Sequence, residues 1–506
     1  MTARACGRWP GYENPPADAS ATAHEENGWH GRLAQPALHR RRRRRLAFGE
    51  LVGLNGAVSE TRAEVMVIGA GPSGLFAAAE LARNGVPARV VERRPEPHRQ
   101  ARATALQPGT LEILARAGVV DAALSASLHL GCARLFDAEL QQVGELAFAG
   151  VDCPWEFQCS LPQWRTEQIL ADRLMELGGA VERGVAASFL ENRDDGVRVG
   201  LERADGTLES VEVEWVIGAG GAHSITRASM AEALEGFTYA GTALAADVRV
   251  RCGLPRDSSN LVAAPEGYVL LAPLPDERWI TFVGDLDDGE TQRVEAATAR
   301  GAVAAAIHRR IAGEIAVDEV AWAAPFRMHH RMVSRLAEGR RLLLGDAGHL
   351  SSPFGGEGLN SGLQDAHDVA WKLALTLRGR GRPALLESFE SERLAADNHV
   401  LEVSNGADGL VRAAVESART GLARARRPAI SVRPSPERAA CSTSRTPTAP
   451  SSVSISNPEW SHNRPPGRAI ATPIAPRSPA QPTTSCSSAP RTMPASPAWA
   501  AAGTGS

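Results

Sequence analysis

Lysine is almost missing from this chain: of 55 basic residues one, Lys372, is lysine and the rest are arginine. That excludes a Walker A loop, which needs a lysine after its glycines. Lys372 stands in an apolar helical run, which argues against a Schiff-base role. Cysteine is sparse too. Cys6, Cys132, Cys153, Cys159, Cys252, Cys441 and Cys486 are odd in number, scattered and never spaced as CxxC, so neither a disulfide framework nor a metal site is expected, and a reducing cytoplasm is the expected setting. No run reaches the roughly 18 apolar residues of a membrane span, and no apolar signal core opens the chain. A formal charge of −3 gives no general attraction to nucleic acid.

What is present is the composition of a folded protein, 43% hydrophobic and 22% charged over 506 residues, room for about three domains. The ends differ from the middle. Residues 1–61 are irregular and include the run Arg40 to Arg45, which reads as a solvated arm. Val58 is a credible initiator if encoded by GTG, and the extension is expected to be disordered or mis-annotated. From about Ala425 the chain holds 15 of its 33 prolines and two acidic residues, Glu437 and Glu459, without helical or strand periodicity. Such a segment buries too little apolar surface to offset the entropy of ordering.

Between these ends, residues 62–415 alternate strand and helix patterns. The segments "EVMVIGAG", "GLFAAAELARNG" and "ARVVERR" read as a βαβ unit. Asp205-Gly206 marks a hairpin, and "ALAADVRVRC", "GYVLLAPLP" and "RWITFVGD" read as strands of a second, more antiparallel layer. A buried strand, "RRLLLGDAGH", then opens into a glycine-rich turn and a long helix.

Gly69, Gly71 and Gly74 form a GxGxxG that follows a strand and opens a helix, the context in which the motif carries weight. The spacing predicts a tight turn at Gly69, backbone approach to a pyrophosphate at Gly71, and helix-on-strand packing at Gly74. Ser73 and Leu75 belong to the same helix start, whose free N–H groups favour phosphate. Glu92 ends the second strand eighteen residues after Gly74, where a carboxylate accepts from adenosine ribose hydroxyls, and Arg93 follows it. NAD and FAD both fit this unit. The later run Gly345-Asp346, then Pro353, Gly358, Leu359 and Asn360, points to FAD, with Asp346 placed to accept from a ribityl hydroxyl.

With these motifs the chain resembles the single-component flavoprotein aromatic hydroxylases, the para-hydroxybenzoate hydroxylase fold group. Within that group it is similar to the hydroxylases of aromatic polyketides and the rifampicin monooxygenases. The resemblance covers roughly residues 62–415 and includes "RATALQPGTLEILARAG", "LPQWRTEQILADRLMELG", "GAGGAHSITR" and "ESFESER". It implies an α/β fold with a Rossmann-like FAD-binding domain (segments about 62–236 and 337–400) and an interleaved, mostly antiparallel substrate sheet (mainly 237–336). It further implies that Arg102 and Gln163 contact the FAD pyrophosphate region and that Gly358, Leu359 and Asn360 meet the flavin ring. The similar polyketide hydroxylases continue into a thioredoxin-like domain. Here residues 425–506 stand instead, and under plausible GC-rich codons 441–450 spell a strand-like segment in a neighbouring frame, so an out-of-frame tail is expected.

One departure matters. The family motif DGxxSxxR reads here Gly220-Gly221-Ala222-His223-Ser224-Ile225-Thr226-Arg227, so Gly220 replaces the aspartate. That places reduction by NAD(P)H in question more than FAD binding. The resemblance implies reduction of FAD by NAD(P)H, addition of dioxygen to give a flavin C4a-hydroperoxide, and oxygen transfer to a small phenolic, polyketide-like substrate. His329, His330 and Arg327 are candidates for phenol deprotonation, although histidines between strands more often serve structure; no catalytic residue is assigned. A flavin halogenase would carry an early lysine and WxWxI, and neither is present. A reductase or saturase of the same fold, and a catalytically impaired FAD-binding relic, stay as alternatives.

Overall fold

A computed structural model describes residues 63–100, 103–287, 289–290, 300–420 and 430–431. The N-terminal extension, Arg102 and, Ile430–Ser431 apart, the proline-rich tail lie outside the described residues.

The first strand, β1 (Ala63–Ile68), is apolar at every inner position because both of its faces are covered. Val65 and Val67 point into a helical core, while Met66 and Ile68 point to a β-meander on the other face. Helix α1 (Pro72–Arg83) follows, with Pro72 at its first turn and Gly85 (φ 75°) just past its end. The chain returns as β2 (Ala88–Glu92), parallel to β1 with Val67 opposite Val90.

Two distant strands complete the central part of this sheet. β3 (Leu208–Gly218) runs parallel to β1 on its other side, and β4 (Arg341–Leu343) runs parallel to β3. The carboxyl ends of β1, β3 and β4 therefore lie along one edge, and each is followed by one of the glycine-rich segments. Crevices at such edges are where open α/β sheets bind ligands. The helical face packs α1, α2 (Gln163–Glu176) and α3 (Gly358–Leu377) through Phe76, Leu170 and Leu363. Behind β3, the strands Val185–Arg193 and Gly196–Arg203 form an antiparallel meander with it, including the hairpin at Asp205-Gly206.

A second sheet has the order Ile315–Phe326, Thr242–Cys252, Trp279–Leu286, Gly267–Pro273, Ser258–Ala264, Cys132–Phe136, Gln142–Ala147 and Ile430–Ser431. It is antiparallel except where Ser258–Ala264 meets Cys132–Phe136 and where Ile430–Ser431 meets Gln142–Ala147. Period-two alternation gives it two apolar faces. Leu244, Val248, Val269 and Val283 face the helix Arg300–His308, and Ala245, Ile280 and Phe282 lie with Leu270, Trp322 and Phe326 on the opposite face.

Helix α4 (Pro383–Thr420) joins the two layers, about 57 Å long at 1.5 Å per residue. Its buried residues recur every three or four positions, with Phe389 in the first core and Val411 and Val415 packed beside Tyr268 of the second sheet. Among the described residues no helix is long and apolar enough to cross a membrane.

Candidate cofactor site

The turn after β1 is built from close approach. Gly69 has φ 109°, and a Cβ there would overlap the carbonyl of Ala219, the residue after β3. A Cβ on Gly74 would overlap the Gly69 carbonyl, so α1 sits directly on the turn. Gly71 differs: no atom lies within 4 Å of the place its Cβ would take. Gly71 is also the N-cap of α1 and offers no side chain to the first-turn N–H groups. Open space and uncapped donors at one point suit a pyrophosphate.

Glu92 is already at work in this turn. One of its carboxylate oxygens accepts from the Ala70 N–H at 2.9 Å and the other from the Arg94 N–H at 2.9 Å. A carboxylate has about four acceptor sites, so ribose hydroxyls can still be bound. Arg93 is exposed beside it. Leu75 is buried in the helical core and its N–H closes onto Gly71 at 2.9 Å, so its side chain serves packing. Ser73 points across to the second turn.

That second turn follows β4. Gly345 has φ 55°, and a Cβ on it would lie 2.7 Å from Ser73 Oγ. Asp346 is exposed between buried Gly345 and Ala347, on the tight helical turn Gly345–Ala347. The segment after β3 grips the same turn: Arg227 donates to the Ala347 carbonyl at 3.1 Å and to the Ala222 carbonyl at 2.6 Å. Burial lowers the Arg227 pKa. Ser224 caps the short helix that carries it by accepting from the Arg227 N–H at 3.2 Å. Gly220 has φ −76° and ψ 9°, and its Cβ would find ordinary contact with Ser224 Cα at 3.4 Å. The backbone therefore accepts a side chain at the position where the family has aspartate.

The third turn, through Pro353 and Gly358, leads into α3. Asn360 is fully buried; its Oδ1 accepts from the Gln107 N–H at 2.9 Å, and its Nδ2 donates to the carbonyls of Ala105 at 2.9 Å and Gly356 at 2.6 Å. The Asn360 side chain is thus spent on shaping the turn. Gly358 and Leu359 remain partly exposed beside it. Burial pushes the neighbouring Glu357 carboxyl up to about 7.

Gln163 opens α2, its N–H bonded to Ala103 at 3.0 Å and its side chain donating to Glu167 at 2.9 Å. His329 and His330 lie on the strand His329–Met332, where His329 Nδ1 is 3.0 Å from Thr238 Oγ1 and His330 stacks on Phe237 at 4.8 Å. Burial lowers both imidazole pKa values, and Arg327 is exposed nearby.

Sequence reasoning missed a buried charged cluster behind the second turn. Asp365 of α3 accepts from the Gly345 N–H at 2.9 Å, from His349 Nε2 at 2.9 Å and from Arg393 Nε at 2.7 Å. Arg393 also donates to Asp397 at 2.7 Å and to Ser361 at 3.2 Å. Burial opposes charge on all of them. The pairing outweighs it at His349, carried up to about 9 by Asp397 and Asp365, and at Asp365, held below the usual carboxylate range by Arg393 and His349. Charged residues on the apolar stripes of two helices were the available signal.

Open backbone at Gly71, uncapped α1, Glu92 and exposed Asp346 fit a flavin dinucleotide lying along this edge. The comparisons agree. A model of the FAD binding domain matches residues 62–404. The chain is 36% identical over 357 residues to the 6-methylpretetramide 4-monooxygenase of Streptomyces rimosus, covering 69% of this chain and 62% of that protein. It is 28% identical to the rifampicin monooxygenase of Streptomyces venezuelae, over 67% of this chain and 70% of the other. The structure of aklavinone-11 hydroxylase with FAD and aklavinone superposes with a TM-score of 0.62 and 27% identity, over 72% of this chain and 71% of that one. The chain therefore spans less than two thirds of the length of the first of these relatives, and over the part that it shares it belongs to the FAD-binding family of aromatic-hydroxylase flavoproteins.

Proposed function

We propose that the protein is an FAD-dependent monooxygenase that uses NAD(P)H and dioxygen to hydroxylate a small aromatic, polyketide-like phenol. The observation that carries this reading is the convergence of three glycine-rich turns on one sheet edge, with Gly71 facing open space and Asp346 exposed. Bound FAD supplies the redox chemistry, passing two electrons from a nicotinamide toward dioxygen and one oxygen atom to the substrate.

The chain's own residues bind, orient and exclude water. Backbone N–H groups at the start of α1 take the pyrophosphate, with Gln163 and Arg102 flanking it. Glu92 takes the adenosine ribose, Asp346 the ribityl chain, and the backbone at Gly358–Asn360 the pyrimidine edge of the flavin. Residues 237–336 supply most of the substrate sheet. Its face with Leu270, Ile280, Phe282, Trp322 and Phe326 is apolar and aromatic, which suits a flat ring system and a dry reaction site.

Purified protein reconstituted with FAD tests the reading. Among a panel of polyphenolic polyketides, at least one is expected to accelerate NADH or NADPH oxidation and to gain one oxygen atom from labelled dioxygen. Bound FAD with nicotinamide oxidation but no oxygenated product from any panel member would favour a reductase.

A further inference from the structure

The cluster His349, Asp365, Arg393 and Asp397 touches no part of the proposed cofactor site with a side chain, yet it is fastened to that site by one bond. Asp365 Oδ2 accepts both the Gly345 N–H and His349 Nε2, each at 2.9 Å, and Asp346 is the next residue along the chain. The other Asp365 oxygen is held by Arg393, which bridges to Asp397. Ser361 Oγ donates to the same Asp397 oxygen.

Such a cluster is expensive to bury, and a fold can be held as well by apolar residues of the same volume. The ligand atoms of His349, Asp365 and Asp397 lie within 4.8 Å of one another, a spacing suited to a metal ion. The Arg393 guanidinium, bonded to both carboxylates, already supplies the positive charge there. The remaining task is orientation. Gly345 has φ 55°, a conformation without intrinsic preference in glycine, and the Asp365 bond to its N–H selects one setting of the turn.

We infer that Asp365, held by Arg393 and His349, is a positioning residue that fixes the Gly345–Asp346 turn in its FAD-binding setting. This rests on the proposed reading that Asp346 meets FAD. The charge balance makes the device sensitive to pH. With His349 protonated, two cations face two carboxylates. His349 gives up its proton at about 9, after which two carboxylates face one guanidinium and the turn loses part of its hold.

The groups facing His349 are few. Asp365 faces it from α3, Asp397 and Arg393 from α4, and Asp346 from its own turn. On the adjacent strand Arg331 directs its guanidinium to Thr238 Oγ1 at 2.9 Å, and Arg227 is bonded to backbone carbonyls.

Titration of the full chain with FAD, followed by flavin fluorescence from pH 6.5 to 9.5, tests the inference in the wild type, His349→Gln and Asp365→Asn. The wild-type Kd is expected to rise as pH passes 9, and that of His349→Gln to stay flat. Asp365→Asn should bind on the order of tenfold more weakly at pH 7, the equivalent of one lost charged hydrogen bond, and shift the flavin absorption bands. A His349→Gln profile that follows the wild type, or an Asp365→Asn protein with wild-type affinity and spectrum, overturns it. If Asp365→Asn fails to fold by circular dichroism, the His349→Gln profile decides alone. A wild-type chain that binds no FAD at any pH overturns the reading beneath, whereas FAD binding with a flat wild-type profile overturns only the positioning role.

Discussion

Ser73 and Gly345 meet across the site: the serine Oγ lies 2.7 Å from where a Cβ on Gly345 would stand. Gly362 closes the same space from α3, since a Cβ on it would overlap Ser73 Oγ and lie 3.1 Å from Gly345 Cα. One hydroxyl between two glycines thus joins the helix after β1 to the turn after β4.

Gly362→Ala is expected to destabilise the protein by about 1–3 kcal/mol through overpacking and to lower FAD loading. Ser73→Gly in the same chain should restore part of the loss, leaving the closer Gly345 backbone contact. Thermal denaturation of the single and double variants measures the coupling, and additive losses would show that Ser73 is not the obstacle.

Asp346→Ala should raise the FAD Kd by roughly tenfold to a hundredfold, equivalent to about 1–3 kcal/mol for a charged hydrogen bond. Asp346 is exposed, so the melting temperature of the FAD-free chain should change little. Equilibrium titration checks the first expectation and a melt the second.

Gly220→Asp should accelerate NAD(P)H-driven flavin reduction. The backbone at φ −76° accommodates the side chain, and its Cβ meets nothing closer than Ser224 Cα at 3.4 Å. Stopped-flow absorbance at the flavin band gives the rate directly. An unchanged rate would show that the missing carboxylate does not limit reduction in this chain.

Glu357→Gln should stabilise the FAD-free protein at pH 8 and leave it nearly unchanged at pH 6. Burial raises the Glu357 pKa from 4.5 to about 7, so the folded chain favours the protonated acid. The stability this gives is fully present below 4.5 and is lost as pH rises through about 7. Glutamine stays neutral throughout. Melting temperatures at the two pH values check the difference, and an equal shift at both would point to packing instead.

Local pattern determined much of this protein. The strand-glycine-helix order around Gly69, the hairpin at Asp205-Gly206 and the helix from Gly358 are each set by neighbours within a turn or two, which periodicity and glycine spacing report directly. The FAD assignment was legible for the same reason, because phosphate and ribityl contacts are made by short contiguous segments.

Tertiary structure decided the rest. The strands Cys132–Phe136 and Gln142–Ala147 read locally as strands, but only folding chose Ser258–Ala264 as the partner of the first of them. Asn360 presents itself in sequence as a flavin contact, yet its side chain bonds Ala105, which lies 255 residues away along the chain. Asp365, Arg393 and Asp397 look like ordinary polar interruptions of two helices until packing of α3 on α4 buries them together with His349. A charge in water has no fixed partner. Excluding water obliges each buried group to find one, and the partner available is set by which helices pack together, a choice no local segment contains.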